Sequence, residues 1–353
     1  MNPKRTSSIH KIRDIHLQRI DLNDQYDILR EIGSGDYGKV VLAVLRERQE
    51  EVALKIVPKA TTSSKDFQIE FHYSYFLSPH INILNTYDVA FETTDYYIFA
   101  QEVAPSGDLW QVIEKQNGME ENDVKLVVKQ VTSALEFMHS KDLVHRDVRA
   151  ENVLIFQTNF TKVKLTDFGL TRRAGTLVKK RTRSLPTCPP EIWETVHMEG
   201  YNVEIGSDVW QMGMLIFAAL FANFPWQKAD ITDPDFRVFM QWQKRKTTRI
   251  PKKFKIFTPR LLRLYRRLMD AKPSKRYEIT EVYKYVGDKW LVPRSSRTSN
   301  VSKTPEPSDH SEVREETLEE ILSNFGLKDH VNKDDKEQRV YDWILSSTKD
   351  KGS

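Results

Sequence analysis

The chain has 353 residues, 39% hydrophobic and 29% charged, with a formal net charge of +4. That is the balance of a soluble globular protein with a sizeable core, in one large domain or two ordinary ones, and so mild a charge gives no electrostatic ground for nucleic-acid or membrane-surface binding. Cys188 is the only cysteine, which excludes an intrachain disulfide and a cysteine metal cluster and fits a reducing compartment.

Residues 1–24 are polar and basic (Lys4, Arg5, Lys11, Arg13), carry no signal-peptide core, and read as a flexible lead-in. No later apolar run is long enough to span a bilayer, so a cytoplasmic protein with nuclear access is expected. Glu31–Ala43 reads E-I-G-S-G-D-Y-G-K-V-V-L-A. Gly33, Gly35 and Gly38 make G-x-G-x-x-G, where the missing Cβ atoms let a backbone fold tightly over phosphates and offer its amides. A plain glycine hairpin or a dinucleotide-binding turn gives the same letters. The latter should lead into a helix, whereas Val40, Val41, Leu42 and Val44 predict strand-turn-strand.

V-A-L-K, Val52–Lys55, ends an alternating strand in a lysine. Asp66–Leu77 follows as a helix with Phe67, Glu70, Phe71, Ser74 and Leu77 on one face. Tyr96–Trp110 reads as a buried strand that breaks at Pro105 and Gly107. Asp123–His139 carries a core stripe at helical spacing: Val124, Val127, Val128, Val131, Leu135 and Met138.

The centre of the chain is His145–Gly169: H-R-D-V-R-A-E-N-V-L-I-F, a short turn, then V-K-L-T-D-F-G. The apolar runs Val153–Phe156 and Val163–Leu165 predict a small hairpin that holds Asp147, Asn152 and Asp167 on a rigid frame. Such a trio suits phosphoryl transfer, which asks for a base near the attacking hydroxyl and hard oxygen ligands for magnesium.

Thr171–Arg183 then holds six basic residues and no acid. It is either a solvated charge run or a cluster awaiting phosphate, on Thr176 or Thr182, or an acidic segment. Gly206–Trp226 is apolar on nearly every face, the mark of a helix buried inside a domain. Basic amphipathic helices continue to about Val292. From 293 to 353 the composition turns to Ser, Thr, Pro and charge, with two short helical stripes: Leu318, Ile321, Leu322 and Phe325, then Val340, Trp343 and Ile344.

H-R-D-x-x-x-x-N followed by D-F-G, below the glycine loop and V-A-L-K, resembles the catalytic core of a eukaryotic-type protein kinase over about residues 25–292. The resemblance implies an α+β, bilobal protein kinase fold, with a small β-rich N-lobe at about 25–103 and a larger helical C-lobe at about 104–292. It implies transfer of the γ-phosphoryl group of ATP to a protein substrate, with Mg²⁺. Asp147 would orient the hydroxyl and accept its proton, and Asn152 and Asp167 would hold the metal. Lys55, braced by Glu70, would fix the α- and β-phosphates under Gly33, Gly35 and Gly38, with Ile32 and Val40 flanking the ATP site. Gln101 would be the gatekeeper, the backbone of Glu102 and Ala104 would bind the adenine edge, and Asp108 would lie near the ribose or the peptide groove. Asp208 would brace the H-R-D turn, and Glu191 of P-P-E would pair with Arg276.

Arg149 stands where serine/threonine kinases usually carry a lysine beside the γ-phosphate. It keeps the charge but changes its geometry, and some tyrosine kinases carry arginine there. F-A-Q-E-V-A-P-S-G-D-L, F-M-H-S-K-D-L-V-H-R-D-V, K-L-T-D-F-G-L-T-R-R and L-I-F-A-A-L-F-A-N-F-P-W are similar to the SH3-binding serine/threonine kinase family. That likeness, with Ser184 at the position of an activation-segment threonine, implies serine/threonine acceptors. The only P-x-x-P is Pro186–Pro189, inside the activation segment Asp167–Glu191, so SH3-domain binding is not implied. The acidic stretch Glu312–Glu320 is expected either to dock the tail on the basic activation segment or to belong to a disordered tail with partner-binding helices. The rival readings are a pseudokinase scaffold or allosteric partner of the same fold, a tyrosine or dual-specificity kinase, and a small-molecule kinase of related fold.

Overall fold

The computed structural model describes residues 9–35, 38–180, 185–196 and 199–293. Thr182, Ser184, the acidic stretch and both helical stripes of the tail lie outside the described residues.

Alternating apolar residues build a six-stranded sheet. It comprises β1 (Gln18–Arg19), β2 (Tyr26–Gly35), β3 (Gly38–Leu45), β4 (Glu50–Pro58), β5 (Thr86–Glu92) and β6 (Tyr96–Gln101), in the order β1-β5-β6-β4-β3-β2. Every pairing is antiparallel except β1 with β5. Val41, Ala43, Leu54, Ile56, Phe91, Ile98 and Ala100 form one apolar cluster of this sheet. A second cluster, of Val57 and Phe99 with Phe67 and Phe71, holds α1 (Ser64–Leu77) against it. Ser63 caps that helix, its Oγ accepting from the Asp66 amide at 3.1 Å.

The described part of the first 24 residues corrects the reading of a flexible lead-in. Ile9 is buried, Ile12, Ile15 and Leu17 pack against the apolar clusters, and β1 adds an edge strand to the sheet. Isolated isoleucines among basic residues carried no periodic signal; next to the clusters that include α1, Ile9 is buried and Ile12 and Ile15 are partly buried.

The second lobe is helical. Its helices are α2 (Leu109–Gln116), α3 (Glu121–His139), α4 (Pro190–Glu194), α5 (Gly206–Phe221), α6 (Pro234–Gln243) and α7 (Pro259–Leu268). α5 is buried from Ser207 to Leu220, as its apolar composition predicts. Gly213 lets the chain approach closely, because a Cβ there would meet Met269 Sδ at 2.7 Å. Three short two-stranded sheets lie in this lobe. β7 (Leu143–Val144) pairs with β10 (Arg172–Arg173), β8 (Val153–Ile155) with β9 (Val163–Leu165), and β11 (Leu177–Lys179) with β12 (Gly200–Asn202). The β8–β9 hairpin is the one predicted. No helix among the described residues is long and apolar enough to cross a membrane.

Candidate active site

β8 and β9 place the two ends of the predicted trio side by side. Asn152 lies just before β8 and Asp167 just after β9, with Val153 paired to Leu165. Asn152 Nδ2 donates to the Asp147 backbone oxygen at 2.9 Å and to Asp147 Oδ2 at 2.8 Å. Both amide hydrogens therefore turn toward Asp147, and the amide oxygen is left for a ligand. Asp167 has φ of +67° and Arg146 of +73°, conformations that a non-glycine residue keeps only where the surroundings hold it.

What holds the loop is α5. Asp208, fully buried, accepts from the His145 amide, the Arg146 amide and His139 Nε2. Gln211, one turn on, accepts from the Val148 amide at 2.9 Å and donates to the Arg146 carbonyl at 3.0 Å. Asp208 was expected from the resemblance; Gln211 was missed. The signal was there, since these two polar side chains stand three apart in an apolar helix and so share a face. His145 joins the two motifs, donating from Nε2 to the Thr166 carbonyl and accepting the Asp147 amide on Nδ1.

From the sheet, Lys55 reaches across to this loop. Its ammonium bonds Glu70 of α1 and lies 3.2 Å from Asp167 Oδ1. Burial would lower the Lys55 pKa, but the charges of Asp167 and Glu70 more than reverse it and the ammonium stays protonated. Two carboxylates thus share one cation. Burial raises both, and Lys55 outweighs it at Asp167, which ends below its ordinary value, while Glu70 ends above. Asp147 is also raised, first by burial and then by the charge of Asp167. Gly169 packs so close that a Cβ would lie 3.2 Å from Glu70 Oε2.

This cluster of carboxylates, with hard oxygens on Asp167 and Asn152, fits a divalent cation such as Mg²⁺, which is commonly held by one or two protein oxygens with phosphate and water completing its shell. Among the described residues no group of three or more His, Cys, Asp or Glu forms a complete metal cage. The glycine loop is the predicted strand-turn-strand. Ile32, Gly33 and Gly35 lie on β2 and Gly38 and Val40 on β3, with Gly33 paired to Val40 and Gly35 to Gly38. Added Cβ atoms would meet nothing closer than 3.9 Å at Gly33 and nothing within 4 Å at Gly35, so both leave open space where a phosphate chain would need it. Gly38 is different: at φ +137° a Cβ would sit 2.2 Å from the Ile56 carbonyl.

Gln101 is buried at the end of β6, its Nε2 donating to Thr86 Oγ1 at 3.0 Å. Beyond it, the Glu102 amide donates to the Asn85 carbonyl at 3.0 Å. The Glu102 side chain accepts from the Asn85 amide and Lys164 Nζ. Ala104, two residues on, is half-buried. Asp108 caps α2, with Oδ1 on the Gln111 amide and Oδ2 on Gln111 Nε2, so both oxygens already have protein partners.

Arg149 pairs with Glu151, and Glu191 with Arg276 through two bonds of 2.8 and 2.7 Å. Arg146 donates to the Leu170 carbonyl and to the Tyr201 hydroxyl. Within the described part of the basic run, Arg172 donates to the Gly169 and Thr171 carbonyls and Lys180 to the Thr195 carbonyl.

A loop holding a carboxylate beside an amide, and a lysine bridging two further carboxylates, is the apparatus of phosphoryl transfer. The protein kinase domain model matches residues 26–287. Serine/threonine-protein kinase SBK1 of Danio rerio is 41% identical over 298 residues, 84% of this chain and 77% of that protein. Serine/threonine-protein kinase meng-po of Drosophila melanogaster is 41% identical over 354 residues, 95% of this chain and 77% of its own length. SBK1 of Mus musculus is 39% identical over 82% of this chain and 69% of its own. The chain therefore belongs to the eukaryotic-type protein kinases, and within them to the SBK serine/threonine kinases.

Proposed function

We propose that the chain transfers the γ-phosphoryl group of Mg·ATP to serine or threonine hydroxyls of protein substrates, using the residues assembled around Lys55. The observation that carries this reading is the Glu70–Lys55–Asp167 bridge, which joins the sheet, α1 and the β8–β9 hairpin at one point. Mg·ATP, when bound, supplies the electrophilic phosphorus and the counter-charge to its own oxygens. Lys55, kept charged by its two carboxylates, is placed to hold the α- and β-phosphates. Asp167 and Asn152 Oδ1 are the oxygens for the metal. Asp147, kept more basic than an ordinary aspartate by burial and by Asp167, accepts the proton of the acceptor hydroxyl; a raised pKa improves a general base as long as it stays ionised at working pH. Arg149, linked to Glu151, supplies positive charge beside the transferred group.

Ile32 and Val40, Gln101, and the backbone of Glu102 and Ala104 are assigned to the adenine side. Asp108 is assigned to shaping the groove through the start of α2. The acidic stretch Glu312–Glu320 complements the cations of the activation segment, and a tail truncation at Pro293 tests whether it docks there. A cytoplasmic location, with nuclear access, fits the composition.

The test is phosphotransfer from labelled Mg·ATP to a degenerate peptide library, with phosphoamino acid analysis and Asp147→Asn as control. Label on serine or threonine that vanishes in the variant supports the reading. Label on tyrosine overturns the acceptor class, and nucleotide binding without any transfer favours a scaffold.

A further inference from the structure

Residues 9–17 place their apolar side chains against the clusters that include α1, the helix that carries Glu70, before β1 pairs with β5. Ile9 joins the core cluster that includes Ile69, Tyr73 and Leu77 of α1. Ile15 and Leu17 pack on the cluster of Phe67 and Phe71. Between them, His72 of α1 is 1% exposed and is held through both ring nitrogens. Nε2 donates to the Ile9 carbonyl at 2.9 Å, and Nδ1 accepts from the Arg13 amide at 3.0 Å. A carbonyl on one nitrogen and an N–H on the other leave a neutral ring with its proton on Nε2. Arg13 also pairs with Asp88 of β5 at 2.7 Å, and the Ile20 amide bonds the Glu92 carbonyl beyond β1. At the other end, half-buried His10 lies near Arg173 of β10 and its ion-pair partner Asp142, which directly precedes β7.

We infer that residues 9–19 are a built-in strap that holds α1 in place for the Lys55–Glu70 contact, with His72 the positioning residue through which it acts. The helix geometry supplies the reason. His72 is two residues beyond Glu70, about 200° around the helix, so its two bonds hold α1 from the side away from the active site, while Ile15 and Leu17 pack with Phe67 and Phe71 nearer the Glu70 face. Displacing α1 would break two hydrogen bonds to a buried imidazole and expose Ile9. The position of this helix decides whether a kinase's lysine–glutamate pair forms. The inference rests on the reading of Lys55 and Glu70 as parts of the ATP site.

The test uses the full-length chain. Ile9→Asp with Ile15→Asp ejects the strap. Arg13→Pro removes only the N–H that His72 accepts together with an exposed ion pair, and Arg13→Ala removes the ion pair alone. Each is measured in the native and Glu70→Gln backgrounds for kcat, KM for Mg·ATP and thermal unfolding. The expected result is at least a tenfold loss of kcat/KM for the ejected strap and a lesser loss for Arg13→Pro, with Arg13→Ala near native. In the Glu70→Gln background the strap variants should add no further loss, because the residue they act through is already altered. A peptide of residues 9–20 should restore the ejected variant saturably. Native activity in the strap variants, or equal fold-losses in both backgrounds, overturns the inference, and the second result would mean general damage to the fold. Should Glu70→Gln alone leave activity intact, the reading of Glu70 fails first and the strap's route fails with it. If the double aspartate variant does not fold, the contrast of Arg13→Pro with Arg13→Ala decides.

Discussion

Both carboxylate oxygens of Asp208 are committed to the backbone of the loop 62 and 63 residues before it, Oδ2 accepting from the His145 amide at 2.9 Å and Oδ1 from the Arg146 amide at 2.7 Å. The aspartate is fully buried, so removing it leaves the buried His145 amide and the part-buried Arg146 amide without their acceptor. Asp208→Ala is expected to cost about 3–5 kcal/mol of stability, the range for breaking a buried charged contact. Urea unfolding measures it. Gln211→Ala should cost about 1–3 kcal/mol by leaving the Val148 amide unpaired.

Asp147 gives a prediction in which stability and activity move in opposite directions. Its folded pKa is raised above 3.8, chiefly by burial and then by Asp167. A carboxyl raised on folding is disfavoured as an anion, so ionised Asp147 destabilises the native state above its native pKa, and that cost disappears as pH falls. Asp147→Asn should therefore unfold at a higher temperature than the native chain at pH 7 while losing about 10²–10⁴ in kcat, the contribution of a positioned base. In the native enzyme, kcat/KM should fall with decreasing pH through a pKa above the ordinary aspartate value.

The glycines separate by what surrounds them. Gly38→Ala would place a Cβ 2.2 Å from the Ile56 carbonyl at a φ of +137°, and strain of this kind costs about 1–3 kcal/mol. Gly35→Ala meets nothing within 4 Å and should leave thermal unfolding nearly unchanged while raising KM for Mg·ATP. Thermal shift with and without nucleotide distinguishes the two.

Tyr201 anchors β12 to the catalytic loop through Arg146 Nη2, at 2.6 Å. Tyr201→Phe removes a hydrogen bond to a charged group, worth about 1.5–3 kcal/mol. The β11–β12 pair should loosen from the lobe, and limited proteolysis within residues 171–180 should accelerate.

Much of this site was legible because its chemistry is carried by short, ordered strings of residues. Asp147, Asn152 and Asp167 stand in fixed spacing around two apolar runs, and those runs form the hairpin that was expected. Glu70 was found from helical register alone, and Lys55 reaches it. The misses share a different physics. Tyr201 and Lys164 act through partners 55 and 62 residues away, a pairing that no local pattern announces, and the spacing of Gln211 shows only that it shares the face of Asp208, not that its partner lies 65 residues back. Glu102 was read for its backbone and Asp108 for its place near the ribose or the peptide groove; the bonds of their carboxylates to Lys164 and to Gln111 are long-range or capping contacts that this reading did not include. The segment from Ile9 to Arg19 was misread because its apolar residues match neither a strand nor a helix period; only the surface of α1 gives them a common face.

β1 pairs with β5 in parallel, Gln18 opposite Phe91. A strand so early in the chain cannot close its hydrogen bonds until a partner more than seventy residues later has been made and folded, and closing so long a loop carries an entropic cost that its two residue pairs must offset. During synthesis, β1 therefore emerges well before β5 and finds its place only after that strand has folded. Until it does, the isoleucines that will cover α1 stay open to water, and a nascent or truncated chain presents apolar surface that the finished enzyme conceals.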